Sequence, residues 1–171
     1  MEFKVKELEG YTPQIGRLVS MMNYARKTTL DAVHGLTIKE LDHLHNKNAN
    51  SIGALLLHIA AVEKGFQIEI FDGRNPNEQE YDEWGAAYGL GELGRKEIKD
   101  QPLTFYIDKL YEVRNRTLEE FRRRDDTWLH SERLWDNQPS NNYFIWFHVI
   151  EDEINHRGQI RIQLKMIPFL S

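Results

Sequence analysis

Apolar residues recur at spacings of three and four residues over four long stretches of the chain, which predicts four amphipathic α-helices. The pair Thr12-Pro13 is typical of a helix start, with Thr at the N-cap and Pro in the first turn. Asp72-Gly73 and Pro168 are typical of the ends of the second and fourth helices. The four predicted helices span about residues 13–34, 51–72, 103–124 and 142–165.

The segments between these helices differ in length and regularity. Thr37 and Glu40 have capping-box spacing, which predicts a short helical turn ending near Leu44. Residues 73–102 contain a proline and several glycines, so we expect a long irregular connection with at most one or two helical turns at 82–88. A lid over a site is the alternative for such a long connection.

A second long connection covers residues 127–139, with a short extended piece at its start. Four long helices joined in this way predict an all-α fold, a four-helix bundle with long connections between helices two and three and between helices three and four. The length suits one domain over residues 1–171.

Composition and charge narrow the classes of function. The chain has 171 residues and a formal net charge of -5, which disfavours binding to a nucleic-acid backbone. No apolar stretch approaches the roughly 20 residues of a membrane span, so we expect no membrane partner. The sequence contains no cysteine, which excludes disulfides, thiolate metal sites and a cysteine nucleophile, and fits a cytoplasmic protein.

The fourth helix carries a row of polar residues on one face. His148, Asp152 and His156 are spaced by four residues and therefore stack along the helix. Apolar residues border this row on both sides, so we expect it to face the interior of the bundle. Buried polar groups need partners, and a bundle interior is where metal sites are built from side chains on facing helices.

His58 lies beside the apolar seam of the second helix, with the small residues Ala54 and Ala61 as axial neighbours. Together with Asp152 and His156 it would supply three ligands to a divalent metal and leave a position for water or substrate. Such an ion lowers the pKa of a bound water or thiol. The alternatives are a core histidine bonded to the backbone and an ordinary surface pair of Asp152 with His156.

Two segments resemble a known family. Residues 50–63 are similar to the second-helix signature of the DinB-like (DinB/YfiT) superfamily, and residues 148–160 are similar to its fourth-helix signature. The resemblance implies a bacterial four-helix bundle with a central metal, often a homodimer. It further implies metal-dependent transferases or isomerases that use low-molecular-weight thiols such as mycothiol or bacillithiol.

The resemblance assigns site residues position by position. The first family histidine falls on His58 and the last on His156, while Asp152 stands where most members have the middle histidine. Some thiol-dependent members have a carboxylate there, and the set suits zinc first, with nickel, iron or manganese as alternatives. His148 is the candidate catalytic proton acceptor, or a ligand in place of Asp152, and Glu63 is a weaker candidate acceptor.

The expected function is therefore a divalent-metal-dependent transferase that moves a low-molecular-weight thiol onto small electrophiles. Because the chain has no cysteine, the thiol would be a separate cosubstrate. A metal-dependent hydrolase would use the same ligands with water as the nucleophile. A non-catalytic helical binding module with a structural metal is the remaining alternative.

Overall fold

Four long α-helices dominate the computed structural model, which describes residues 3–168. They are α1 (Pro13–Val33), α3 (Ile52–Phe66), α6 (Leu103–Arg122) and α8 (Asn142–Met166). They pack as a bundle around two apolar clusters, which confirms the predicted all-α fold class. Residues 1–2 and 169–171 of the predicted domain lie outside the described residues.

Shorter elements connect the bundle helices. The helical ones are α2 (Ile38–Leu41), α4 (Glu78–Gly89), α5 (Gly91–Glu97) and α7 (Asp126–Leu129). The strands β1 (Glu132–Trp135) and β2 (Gln138–Asn141) form an antiparallel hairpin, and α3 continues as a π-helical segment, Gln67–Phe71. None of the helices within residues 3–168 is long and apolar enough to cross a membrane.

The helices that carry the predicted ligands begin at polar caps. The Ser51 hydroxyl accepts the backbone N–H of Ala54 at 3.1 Å at the start of α3. The Asn141 side chain accepts the backbone N–H of Phe144 at 2.9 Å at the start of α8. Each cap satisfies a donor that the first helical turn leaves unpaired, and thereby fixes where the helix begins.

The expectation of an irregular connection over residues 73–102 is wrong, because this segment folds into α4 and α5. Asn77 and Glu80 form a capping box at the start of α4, and Arg74 and that cap together lower the pKa of Glu80 to about 2. Trp84 and Ala87 are buried in the core, and this tertiary burial offsets the helix cost of the glycines, about 1 kcal/mol each.

The second connection is also more regular than expected. It contains α7 and the β1–β2 hairpin rather than one extended piece. Asp136 and Asn137 at the hairpin tip have φ of 48° and 60°, as a two-residue type I′ turn requires. The carboxylate of Asp126 in α7 accepts the backbone N–H groups of Gln14 and Ile15 and so caps α1 from another part of the chain.

A polar layer separates the two apolar clusters of the bundle. Along α8, Trp146 and Val149 belong to one cluster and Ile160 belongs to the other. The residues between them include Asp152, Glu153 and His156. The predicted ligands therefore lie near the middle of the bundle.

Candidate metal centre

His58, Asp152 and His156 converge at one point between α3 and α8. Each residue offers a ligand atom, and these three atoms lie within 4.8 Å of one another. Asp152 Oδ1 is 3.4 Å from Nε2 of His156 and 4.0 Å from Nε2 of His58. The two imidazole centroids are 4.5 Å apart. Two helices distant in sequence thus bring together the three predicted ligands.

Helix α4 orients the imidazole of His58. Its Nδ1 lies 2.8 Å from the carbonyl oxygen of Ala87, so Nδ1 carries the proton that it donates to this acceptor. The lone pair is then on Nε2, which faces Asp152. A hydrogen bond on the far nitrogen of this kind usually fixes the tautomer of a metal-binding histidine. Residues 73–102 therefore contribute to the site.

The three side chains are largely shielded from solvent. His58, Asp152 and His156 are 13%, 17% and 14% exposed. Burial lowers the pKa of the His58 imidazole below its ordinary value, and the neighbouring His156 acts in the same direction. His58 is therefore neutral at pH 7, which is the form of histidine that binds metals.

Two polar atoms of the site are buried without a hydrogen bond, Oδ2 of Asp152 and Nδ1 of His156. Buried polar atoms in folded proteins normally have a partner. A cation among the three residues would give the carboxylate such a partner. Two imidazoles and one carboxylate fit Zn²⁺, and the same donors also suit nickel, iron and manganese.

His148 lies outside this group of three. Its Nδ1 is 3.2 Å from a carboxylate oxygen of Glu151, and its side chain is 32% exposed. Its ring contacts Trp135, with centroids 5.0 Å apart, and stacks on Phe144. It lies one helical turn before Asp152 on α8. Its predicted catalytic role stays a prediction.

A second polar cluster lies beside the three ligands. It consists of Arg26 from α1, Glu63 from α3, Arg114 from α6 and Glu153 from α8, hereafter the four-charge cluster. Each side chain is at most 5% exposed. Each arginine bonds both carboxylates, and the formal charges sum to zero.

Glu63 belongs to the four-charge cluster. Its carboxylate accepts hydrogen bonds from both arginines and from the hydroxyl of Thr117 at 2.7 Å. Burial alone would raise its pKa, but Arg114 and Arg26 outweigh burial and lower it, so the group is charged at neutral pH. A carboxylate held in this way is a poor proton acceptor.

Sequence reasoning missed the four-charge cluster, although a signal was present. Its members occupy seam positions of their helices, where the spacing calls for apolar residues. Arg114 lies four residues after Leu110 and seven before Phe121, and both of these are buried. A charged residue in such a seam predicts a buried partner of opposite charge on a facing helix.

The helical bundle and the meeting of His58, Asp152 and His156 between α3 and α8 fit the DinB-like class that the sequence resembles. The sequence model of the Mycothiol-S-transferase family matches residues 17–163, so the chain belongs to this family. The crystal structure of a conserved protein from Enterococcus faecalis is similar in fold, with a TM-score of 0.68 and 14% identity, over 88% of this chain and 94% of that one. No curated protein matches the chain significantly.

Proposed function

We propose that this protein is a divalent-metal-dependent enzyme that transfers a low-molecular-weight thiol to a small electrophile. Membership of the Mycothiol-S-transferase family supports the reaction class. The observation that carries the metal requirement is the convergence of His58, Asp152 and His156, with an unpartnered carboxylate oxygen in the bundle interior. Mycothiol is the first thiol to test, and bacillithiol the second.

His58, Asp152 and His156 would hold the metal, with zinc as the first choice. Bound metal would supply an electrostatic field that lowers the pKa of a thiol into the neutral range. Three protein ligands leave a coordination position for the cosubstrate, as in catalytic zinc sites. The chain itself keeps His58 Nε2 directed toward Asp152 through the Ala87 carbonyl.

His148 is the proposed acceptor of the thiol proton. Glu151 bonds its Nδ1, which leaves Nε2 to take up the proton and stabilises the resulting imidazolium. The rings of Trp135 and Phe144 limit the orientations that the imidazole can adopt. Proton transfer by a positioned side chain contributes about 10²- to 10⁴-fold to a rate.

The electrophile would occupy the cleft between α3 and α4. This cleft has a volume of about 340 Å³ and begins one turn beyond His58 on α3. Phe66, Trp84 and Tyr88 contribute aromatic surface to it. The ring of Tyr88 is 6.5 Å from that of His58, so a molecule in the cleft would lie near the proposed metal. These walls favour an electrophile with an apolar or aromatic body.

We further propose that the protein acts as a homodimer. An apolar groove of about 670 Å³ lies between the N-terminal segment, α1 and α8. Phe147 and Ile154 of α8 contribute to it and are 48% and 41% exposed. Apolar surface of this kind often marks an interface. Sedimentation equilibrium should give a dimer for the unmodified chain and a monomer for Phe147→Glu, whereas a monomeric unmodified chain contradicts this proposal.

Metal analysis is the first test of the function. The protein is purified without a histidine tag, and its metal content is measured by mass spectrometry. We expect about one equivalent in the unmodified chain and in the control His34→Ala, which alters an exposed histidine at the end of α1. His58→Ala should lose the metal. Equal metal content in all three proteins would remove the site.

A transfer assay is the second test. Metal-loaded protein is given a model electrophile with mycothiol, bacillithiol or glutathione in parallel, and thioether formation is followed. We expect turnover with at least one thiol, no turnover with His58→Ala, and roughly 10²- to 10⁴-fold slower turnover with His148→Gln at unchanged metal content. Bound metal without turnover by any thiol would contradict the proposed reaction.

A further inference from the structure

The four-charge cluster connects to both helices that carry the proposed metal ligands. Glu153 directly follows Asp152 on α8, and Glu63 lies five residues after His58 on α3. Arg26 and Arg114 reach these carboxylates from the other two bundle helices, α1 and α6. One charged residue from each long helix therefore meets at a single point beside the site.

We propose that the four-charge cluster is the positioning device of the metal centre. In this view Glu153 and Glu63 fix the rotation of α8 and α3 about their own axes, and so set the spacing of His58, Asp152 and His156. This inference rests on the metal binding of the proposed function. The four residues act through the ligands and do not touch the metal themselves.

The hydrogen bonds of Glu153 determine how α8 faces the bundle. Its carboxylate accepts Nε and Nη2 of Arg26 at 2.9 and 3.3 Å and Nη2 of Arg114 at 3.1 Å. Neighbouring residues differ by about 100° around a helix axis. Holding Glu153 on the α1–α6 side therefore turns Asp152 toward α3.

Arg114 joins the two ligand-bearing helices directly. Its Nη2 donates to Glu63 of α3 and to Glu153 of α8, both at 3.1 Å. The same guanidinium is anchored on α1, because Nη1 donates to the carbonyl oxygen of Met22 at 3.1 Å. The guanidinium fork is planar and rigid, so these bonds specify relative orientation as well as distance.

Arg26 provides the reciprocal anchor. Its Nη1 donates to the carbonyl oxygen of Leu110 in α6 at 2.7 Å, while Nε and Nη2 hold the carboxylates. Every bundle helix is thus tied to the cluster by directional bonds. Apolar packing is non-directional, whereas a functional constellation has to be held within about 0.5 Å of its working geometry.

Stability alone does not account for a cluster of this kind. Replacing buried ion pairs with apolar residues of similar volume is often neutral or stabilising. Apolar residues in these positions would not fix the orientation of the four helices, because their contacts are not directional. Orientation is also what three ligands from two helices require.

Co²⁺ binding tests this inference without reference to activity. Metal-free protein is titrated with Co²⁺ while its visible absorption is recorded, and the melting temperature is measured on the same samples. We expect Glu153→Gln and Arg26→Lys to weaken Co²⁺ binding by about 10- to 100-fold, the range found when groups supporting metal ligands are removed. The absorption band should change in shape as well as in midpoint.

Leu129→Ala is the matched control for loss of stability. Leu129 is fully buried in α7 and lies outside the helices that carry the ligands. This variant should lower the melting temperature and leave Co²⁺ affinity within about twofold of the unmodified chain, since it removes packing but not orientation. A loss of affinity equal to that of Glu153→Gln would overturn the inference.

Thr117→Val carries the test if Glu153→Gln does not fold. It removes the hydroxyl that donates to Glu63 at 2.7 Å and accepts from Gln67, whose amide keeps the Val113 carbonyl as an acceptor. Since Glu63 loses one hydrogen bond, we expect a two- to fivefold loss of Co²⁺ affinity. The inference is overturned if this variant and Arg26→Lys both bind Co²⁺ as tightly as the unmodified chain. If His58→Ala then binds no Co²⁺, the proposed function is left intact. No Co²⁺ binding by the unmodified chain overturns both.

Discussion

Two polar clusters lie side by side in the bundle, and they differ in whether their carboxylates have hydrogen-bond partners within the protein. In the four-charge cluster every carboxylate is bonded by protein groups, and Glu153 alone accepts three hydrogen bonds. Its neighbour Asp152 has an oxygen with no partner. Glu153 therefore belongs to a closed cluster, in which every carboxylate is bonded by the protein. Asp152 belongs to an open cluster, in which a carboxylate oxygen still needs a partner.

The two clusters also differ in whether their charges are balanced within the protein. Two arginines and two glutamates sum to zero, so the four-charge cluster attracts no further ion. The His-Asp-His group has one carboxylate and, among the described residues, no arginine or lysine to balance it. A carboxylate beside two nitrogen donors, largely shielded from solvent, is a suitable set of ligands for a cation.

The largest expected effect comes from opening the closed cluster. Arg114→Met leaves Glu63 and Glu153 with one arginine between them, and we expect the free energy of unfolding to fall by about 3–5 kcal/mol. Urea denaturation measures it. Arg123→Gln removes a pair on a side chain that is 69% exposed and should cost at most about 1 kcal/mol. Similar losses in the two variants would show that Arg114 is not needed to hold the two buried carboxylates.

A smaller effect on the free energy of unfolding is expected from metal binding to His58, Asp152 and His156. At a free Zn²⁺ concentration 100-fold above its dissociation constant, binding should add about 2.7 kcal/mol to the stability of the native state. Asp152→Asn should lose this increment, because the amide cannot replace the charged ligand. Thermal unfolding with and without Zn²⁺ measures the difference. An equal metal-induced rise in both proteins would place the ion elsewhere.

The pH dependence of stability sharpens the contrast further. The pKa of Glu63 is lower in the folded protein than the ordinary value of 4.5, so below that value the unfolded chain binds more protons. The stabilisation by this carboxylate is complete above pH 4.5 and is lost as the pH falls through 4.5 toward the folded-state pKa. Urea midpoints of the metal-free protein between pH 7 and 3 should therefore fall, and fall less steeply in Glu63→Gln. Parallel curves would argue against a charged Glu63.

The smallest expected effect is that of Asp152→Asn in the metal-free protein. Oδ2 of Asp152 has no hydrogen-bond partner in the described part of the chain, and Oδ1 lies 3.4 and 4.0 Å from the Nε2 atoms of His156 and His58. Its neutralisation should change the free energy of unfolding by no more than about 0.5 kcal/mol. Urea denaturation in the presence of a chelator measures it. A loss of several kcal/mol would mean that Asp152 has a structural role comparable to that of Glu153.

Local patterns were enough to predict the bundle helices, and together with the family resemblance they predicted the meeting of the three residues. Helix starts and side-chain spacings are short-range features of the sequence. The caps at Ser51 and Asn141 determine where two helices begin, and the spacing of four between Asp152 and His156 places both on one helix face. The resemblance in two helices then paired His58 with that face. The whole row was predicted to face the interior of the bundle, but His148 is 32% exposed.

Features that depend on packing between distant segments could not be predicted in this way. Helices α4 and α5 form in a glycine-rich segment because Trp84 and Ala87 are buried against the core. The four-charge cluster needs four helices at once, and the sequence alone does not state which seam charges will meet. The contact of Ala87 with His58 depends on the first of these features, since α4 must form before its carbonyl oxygen can be placed.

That contact has a consequence for how the molecule responds to its ligands. The carbonyl oxygen of Ala87 accepts a hydrogen bond from His58, and the next residue, Tyr88, contributes to the wall of the cleft. A molecule bound against Tyr88 that shifted α4 would therefore move the hydrogen-bond acceptor of His58. Binding of a small molecule in the cleft and binding of the proposed metal would then be coupled, and a titration of one in the presence of the other would measure the coupling.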